Sequence, residues 1–91
     1  MKMNKNYIFR QIADEYLLIP VGEAALHVKG LVSLSESGYL MYQQLLEGCT
    51  RDELLAALLR EYEIDPATAE QDVDAFLDKM RTLDMLEEDT K

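Results

Sequence analysis

The sequence predicts an α+β domain with a winged helix-turn-helix-like layout. Three short runs of apolar and β-forming residues come first, at residues 7–13, 16–21 and 24–34, and three amphipathic helical patterns follow. With 91 residues, of which 48% are hydrophobic, the chain can form one compact domain around one modest core. We therefore expect a single domain over residues 1–91, ordered from about residue 7 to residue 86.

The first two runs are predicted to be strands. Asp14 and Glu15 separate the first run from the second, and Gly22 follows the end of the second. Pro20 lies near that end and has no N–H to donate to a sheet. We therefore expect this part of the second strand to lie at a sheet edge or at a bulge.

The third run, residues 24–34, alternates between apolar and other positions. In an extended chain, one face would carry Leu26, Val28, Gly30, Val32 and Leu34, and the other His27, Lys29, Leu31 and Ser33. This period of two predicts a half-buried strand across the whole run. Gly30 weakens the strand, but it also allows another chain to approach closely.

Helix-capping residues mark the start of each helical pattern. Ser35 is a predicted N-cap for a helix that ends near Glu47, Thr50 and Glu53 form a capping-box pattern, and Asp65 precedes Pro66. The predicted apolar stripes are Met41, Tyr42, Leu45 and Leu46, then Leu54, Leu55, Leu58, Leu59 and Tyr62, then Ala69, Val73, Phe76, Leu77, Met80 and Leu83. Met85 and Leu86 should pack after the last helix, and the chain should fray from Glu87 onward.

The charge distribution argues against nucleic acid as a ligand. The net charge is −9, and residues 35–91 carry fifteen acidic and five basic residues. The third helical region, residues 65–84, contains six acidic and two basic residues. A helix that enters a DNA groove needs cations to neutralise phosphates, so the charge disfavours both nucleic acid and anionic lipid.

No pattern in the sequence indicates an enzyme. His27 is the sole histidine and has no ligand or catalytic partner nearby in sequence, and Asp72, Asp74 and Asp78 do not match a calcium loop. Cys49 has no adjacent histidine and no second cysteine. We expect no catalytic residues, no metal and no cofactor.

Location is predicted from what the sequence lacks. A single cysteine, the absence of a membrane-length apolar run and the polar first six residues together favour a cytoplasmic protein.

A domain with so few strands leaves a sheet edge unpaired. Such an edge can accept an extended peptide as an added strand, and residues 24–34 are the natural candidate beside the third helix. Alternatively, the domain's own helices cover this strand. The residues alone leave both alternatives open.

The order of these motifs resembles the PqqD family, also called RiPP recognition elements. The resemblance covers about residues 9–86 and is most specific over residues 46–74, as LLEG-T--EL---L---Y-ID---A--DV--F. The matching positions are Gly48, Thr50, Glu53, Leu54, Leu58, Tyr62, Asp72, Val73 and Phe76. Departures include Ser35, where many members have Asn, and Tyr39 and Tyr42 in a helix where many have Trp.

The resemblance implies a three-stranded antiparallel sheet followed by three helices. It also implies a non-catalytic peptide chaperone that binds the leader of a ribosomally made precursor peptide and presents it to a modifying enzyme, often a radical SAM protein. Carried onto this chain, the strand side of the groove is His27, Val28, Lys29, Gly30, Leu31 and Val32, and the helix side is Asp72, Ala75, Phe76 and Lys79.

Several alternatives stay open at this stage. An acidic winged-helix transcriptional regulator or a structural dimerisation subunit would have the same layout. We expect a monomer, with a weak dimer as the alternative. The pathway class (pyrroloquinoline quinone, sactipeptide, lasso peptide or another) is not selected by the sequence.

Overall fold

The computed structural model describes residues 1–22, 24–27 and 30–88. Its strands are β1 (Lys2–Met3), β2 (Tyr7–Ile12), β3 (Glu15–Pro20), β4 (Val32–Leu34) and β5 (Leu86–Glu87). Its helices are α1 (Ala24–His27), α2 (Glu36–Glu47), α3 (Arg51–Glu61) and α4 (Pro66–Thr82). In the described part of the chain, no helix is both long and apolar enough to cross a membrane.

The main sheet has the order β2-β3-β4 and is antiparallel throughout. Helices α2, α3 and α4 follow it in sequence, which confirms the predicted α+β class with a three-stranded antiparallel sheet and three helices. Pro20, the last residue of β3, pairs with Tyr7 of β2. The pairing of β4 with β3 ends at Val32, which lies opposite Leu18. At Pro20 the main sheet therefore consists of only β2 and β3, where a missing N–H is tolerated.

A second, two-stranded sheet joins the two ends of the described chain. Lys2 pairs with Glu87 and Met3 with Leu86. Residues Lys2–Met3 therefore belong to a strand, although the sequence placed the start of the ordered region near residue 7. Glu87 lies in β5, so the prediction of fraying from Glu87 was wrong at that residue. Leu86 is buried as predicted.

The prediction of one strand over residues 24–34 was wrong for most of that run. Ala24–His27 form α1, and only Val32–Leu34 form a strand. The physical cause is the pair of glycines around this segment, because Gly22 and Gly30 have φ angles of 61° and 88° and interrupt extended backbone on both sides. Leu26 is 80% exposed instead of facing the core. Val28 and Lys29 lie outside the described residues.

The predicted helix caps are confirmed. The Ser35 hydroxyl accepts a hydrogen bond from the Gly38 N–H at 3.1 Å. Thr50 and Glu53 form the reciprocal capping box, with N···O distances of 3.1 and 2.8 Å. Each cap satisfies a backbone donor that would otherwise lack a partner, which fixes where the helix begins.

The core lies between the inner face of the main sheet and the three long helices. Its fully buried members include Leu18, Leu45, Leu54, Leu58, Val73, Leu77 and Met80. Leu46 and Leu59 are exposed, at 52% and 38%, so their assignment to the apolar stripes was wrong. Each directly follows a fully buried leucine, and a step of about 100° along a helix carries it out of the buried arc.

Candidate functional site

A cleft lies between the edge strand β4 and helix α4, and the N-terminal part of α2 forms its base. We call it the β4–α4 cleft, and its volume is about 240 Å³. Its lining comprises Ser33, Leu34, Ser35, Ser37, Gly38, Met41, Asp72, Ala75, Phe76 and Lys79. The cleft contains all four residues that the sequence assigned to the helix side of a groove.

The floor of the cleft is largely apolar, and α2 contributes a glycine to it. A Cβ at Gly38 would lie 3.6 Å from Cε1 of Phe76, 3.7 Å from Cβ of Leu34 and 3.3 Å from the Ser35 hydroxyl. Gly38 thus keeps the Phe76 ring accessible from the cleft, although only 7% of Phe76 is exposed. Phe76 is both a core residue and part of the floor of the cleft. Its two predicted positions, in the apolar stripe of the third helix and on the helix side of the groove, are therefore compatible.

The strand side of the cleft is shorter than the sequence predicted. Val32 lies in β4 with its side chain buried, while Gly30 and Leu31 are exposed and precede the strand. His27 lies in α1, which corrects its assignment to a strand. The cleft instead uses the exposed Ser33.

Sequence reasoning missed the contribution of α2 to the cleft. Ser35, Ser37, Gly38 and Met41 all line it. The missed signal was available in the Ser35 cap, since a cap immediately after the last strand residue brings the first turn of the helix up to the strand edge.

Strand β4 has one unpaired edge. It pairs with β3 through Leu34 opposite Tyr16, Ser33 opposite Leu17 and Val32 opposite Leu18. No other strand in the described ranges pairs with it. Backbone donors and acceptors along an unpaired edge form a template for another extended chain.

Most acidic residues of α4 have structural partners away from the cleft. Arg51 of α3 donates two hydrogen bonds to Asp74, at 2.7 and 3.0 Å, and lies 3.5 Å from Glu70. Within α4, the guanidinium of Arg81 donates a hydrogen bond to the Asp78 carboxylate at 3.1 Å. These acids therefore connect α4 to α3 or support its last turn.

Asp72 differs from the other acids of α4. It lines the cleft, is exposed, and forms no ion pair or side-chain hydrogen bond with any residue that the structure describes. Lys79 lies on the same rim about two turns further along the helix. The cleft thus offers one anionic and one cationic group on either side of Ala75.

Five aromatic rings form a cluster between the main sheet and α2. They are Tyr7, Phe9, Tyr16, Tyr39 and Tyr42. The rings of Tyr16 and Tyr39 stack with centroids 3.9 Å apart and planes at 5°. Burial raises the pKa of Tyr7, and so does the hydrogen bond that its hydroxyl donates to the Tyr42 hydroxyl at 3.2 Å. The sequence analysis did not foresee this cluster, because its members come from three separate elements.

Cys49 lies in the turn between α2 and α3. Its side chain is buried, and burial raises the pKa of its thiol, so the thiolate is disfavoured. The part of the chain that the structure describes contains no group of three or more His, Cys, Asp or Glu residues placed to hold a metal ion.

The Arg51–Asp74 pair makes stability depend on pH. The guanidinium of Arg51 lowers the pKa of Asp74, so this contribution is present above the ordinary carboxyl pKa of about 4 and is lost as pH falls through the lowered value. We expect the melting temperature of the wild type to fall more steeply between about pH 5 and pH 2 than that of Asp74→Asn. Equal slopes for the two proteins in thermal melts would contradict this.

Comparison with known proteins identifies the family. The sequence matches the family described as "Coenzyme PQQ synthesis protein D (PqqD)" over residues 22–86, which is most of the chain. The chain belongs to the PqqD family. This confirms the resemblance that the spacing of residues 46–74 indicated. A comparison of this PqqD-family chain with curated proteins gives no match.

Two solved structures share the PqqD-family chain's architecture. One, described as "TbiB1 in Complex with the TbiA(beta) Leader Peptide", is 26% identical, has a TM-score of 0.77 and is matched over 100% of both chains. The other, "Lasso peptide synthetase B1 complexed with the leader peptide", is 21% identical with a TM-score of 0.74 over 92% of this chain and 93% of that chain. The second likeness establishes the fold alone.

Proposed function

We propose that this PqqD-family chain binds the leader of a ribosomally made precursor peptide by adding it as a strand to β4. The observation that carries the proposal is the β4–α4 cleft, where an unpaired strand edge borders an apolar floor. TbiB1, which is similar to this chain over its whole length, has been captured with a leader peptide. That likeness supports the same ligand class here.

The geometry suits recognition of an extended peptide. Backbone hydrogen bonds to β4 would supply affinity that does not depend on sequence, and pockets for alternate side chains would supply specificity. The floor around Phe76, Met41 and Gly38 suits an apolar side chain. Asp72 and Lys79, on the same rim, suit oppositely charged groups on the peptide and would thereby favour one register.

We further propose that the chain performs no chemistry and presents the bound leader to a modifying enzyme, with a radical SAM protein as the expected partner. Holding the leader beside such an enzyme would raise the effective concentration of the precursor at the active site. The single cysteine suits the reducing cytoplasm that we propose as the site of action.

The test is a titration with synthetic peptides that cover the N-terminal parts of short open reading frames adjacent to the gene, followed by NMR of the isotope-labelled protein. We expect saturable shift changes at the amides of Ser33, Leu34 and Ala75, and slower hydrogen exchange in β4, because a new strand would protect one of its edges. A scrambled leader of the same composition is the control. Shift changes confined to the α2–α3 turn, or none at all, would refute binding in the cleft.

A further inference from the structure

We propose that the peptide groove continues beyond the β4–α4 cleft, around the N-terminal end of α2, and binds the peptide segment that precedes the added strand. This segment would place a large apolar side chain in a second hollow and a Lys or Arg in a third. The inference rests on the proposed function, since it concerns the same peptide.

The three hollows adjoin one another through shared lining residues. The second hollow, about 340 Å³, shares Ser35, Ser37 and Asp72 with the cleft. The third, about 380 Å³, shares Glu36 and Tyr62 with the second. A chain that leaves the cleft past Ser35 therefore reaches the second hollow first and the third hollow after it.

The second hollow suits an apolar side chain. Leu58 of α3 is fully buried at its base, and Tyr62 and Ile64 are half-buried around it. Glu36 and Asp72 are its acidic members, and both are exposed. Burying an aromatic or branched aliphatic group against these apolar residues would be favourable, while the acids favour a basic neighbour in the peptide.

The third hollow suits a cation. It contains Tyr16 and Tyr39, which are stacked on each other and are both half-buried. Glu36 and Glu61 also line it, and neither forms an ion pair with any residue in the described ranges. Aromatic faces attract ammonium and guanidinium groups, and exposed carboxylates add to that attraction.

The direction of β4 fixes the order of these groups in the peptide. The strand runs from Val32 towards Ser35. A peptide that pairs with it in antiparallel fashion begins its strand at the Leu34 end, which adjoins the second hollow. Read from its N-terminus, the peptide then carries a cation, a large apolar residue and finally the strand segment.

The test uses 20-residue peptides selected from a displayed random library against the wild-type chain and counter-selected against Ala75→Trp, whose cleft is filled. We expect a Lys or Arg followed by an aromatic or branched aliphatic residue ahead of the strand segment. Removing the peptide's N-terminal part should weaken binding about tenfold, as should changing its apolar residue to Ala.

Reversing the charge of one residue in the third hollow distinguishes peptide binding there from peptide binding in the cleft. Glu61→Lys replaces the last residue of α3. It should weaken binding of the whole peptide about tenfold at low salt and by a smaller factor at high salt. The affinity for the truncated peptide should stay unchanged. Glu47→Lys is the matched control, because Glu47 is an exposed glutamate that ends α2 and lines none of the three hollows. A lysine suits the C-terminal end of a helix, so both variants should fold.

The outcomes distinguish the two proposals. If truncation and Glu61→Lys leave the affinity unchanged while Ala75→Trp abolishes it, the extended groove is refuted and the cleft stands. If no peptide survives selection on the wild type and counter-selection on Ala75→Trp, the proposed function fails and the inference fails with it.

Discussion

Ala75→Trp is expected to reduce the affinity for the leader peptide about 100-fold or more, which corresponds to about 2.7 kcal/mol of binding free energy. Ala75 is exposed on α4 and lines the cleft between Asp72 and Lys79. An indole at this position would occupy the space in which a peptide side chain must pack against Phe76. The loss would therefore come from exclusion of the ligand, since Ala75 itself buries little surface.

The control for this variant is Ala56→Trp. Ala56 is also an exposed helical alanine, but it lies on α3 and lines none of the three hollows. Both substitutions should change the unfolding free energy by less than about 1 kcal/mol, because the surface of a helix accommodates a large side chain at a small cost in propensity. Calorimetric titration with the leader should separate them, and equal affinities would show that the cleft is not the binding site.

Leu45→Ala is expected to lower the unfolding free energy by about 2–5 kcal/mol. Leu45 lies near the C-terminal end of α2 with none of its surface exposed, in the cluster that also contains Leu18, Leu54 and Met80. Removing its branched end leaves a cavity that close-packed neighbours fill only in part. In a domain of this size, the melting temperature should fall by at least about 8 °C.

Leu46→Ala is the matched comparison, because the next residue of the same helix carries the same side chain at 52% exposure. We expect a change within about 0.5 kcal/mol, since little apolar contact is lost and alanine favours the helix. Urea unfolding of the two variants would decide the matter. Similar losses for both would mean that α2 is rotated relative to the core described above.

The sequence predicted the helices far better than the third strand. Ser35, the Thr50–Glu53 pair and Asp65 are local signals that act within one turn, so each could be recognised without knowledge of the rest of the fold. Alternation over residues 24–34 was a weaker guide. The same spacing can be satisfied by a helical turn and a short strand once glycines with positive φ angles separate them.

The helix side of the cleft was predictable for the same reason. Asp72, Ala75, Phe76 and Lys79 are spaced by three and four residues and share one face of α4. The contributions of Gly38 and Met41 depend on how α2 meets β4 in space. The five-ring aromatic cluster likewise depends on packing between elements, and no spacing within a single segment encodes it.

The β1–β5 ribbon has a consequence for how the domain is completed during synthesis. Met3 is translated before the helices that the structure describes, whereas its strand partner Leu86 is translated after them. The surface of Met3 that is buried in the folded domain must therefore stay exposed until Leu86 has been translated. Contacts so distant in sequence form slowly, so closing the ribbon should be among the last steps of folding.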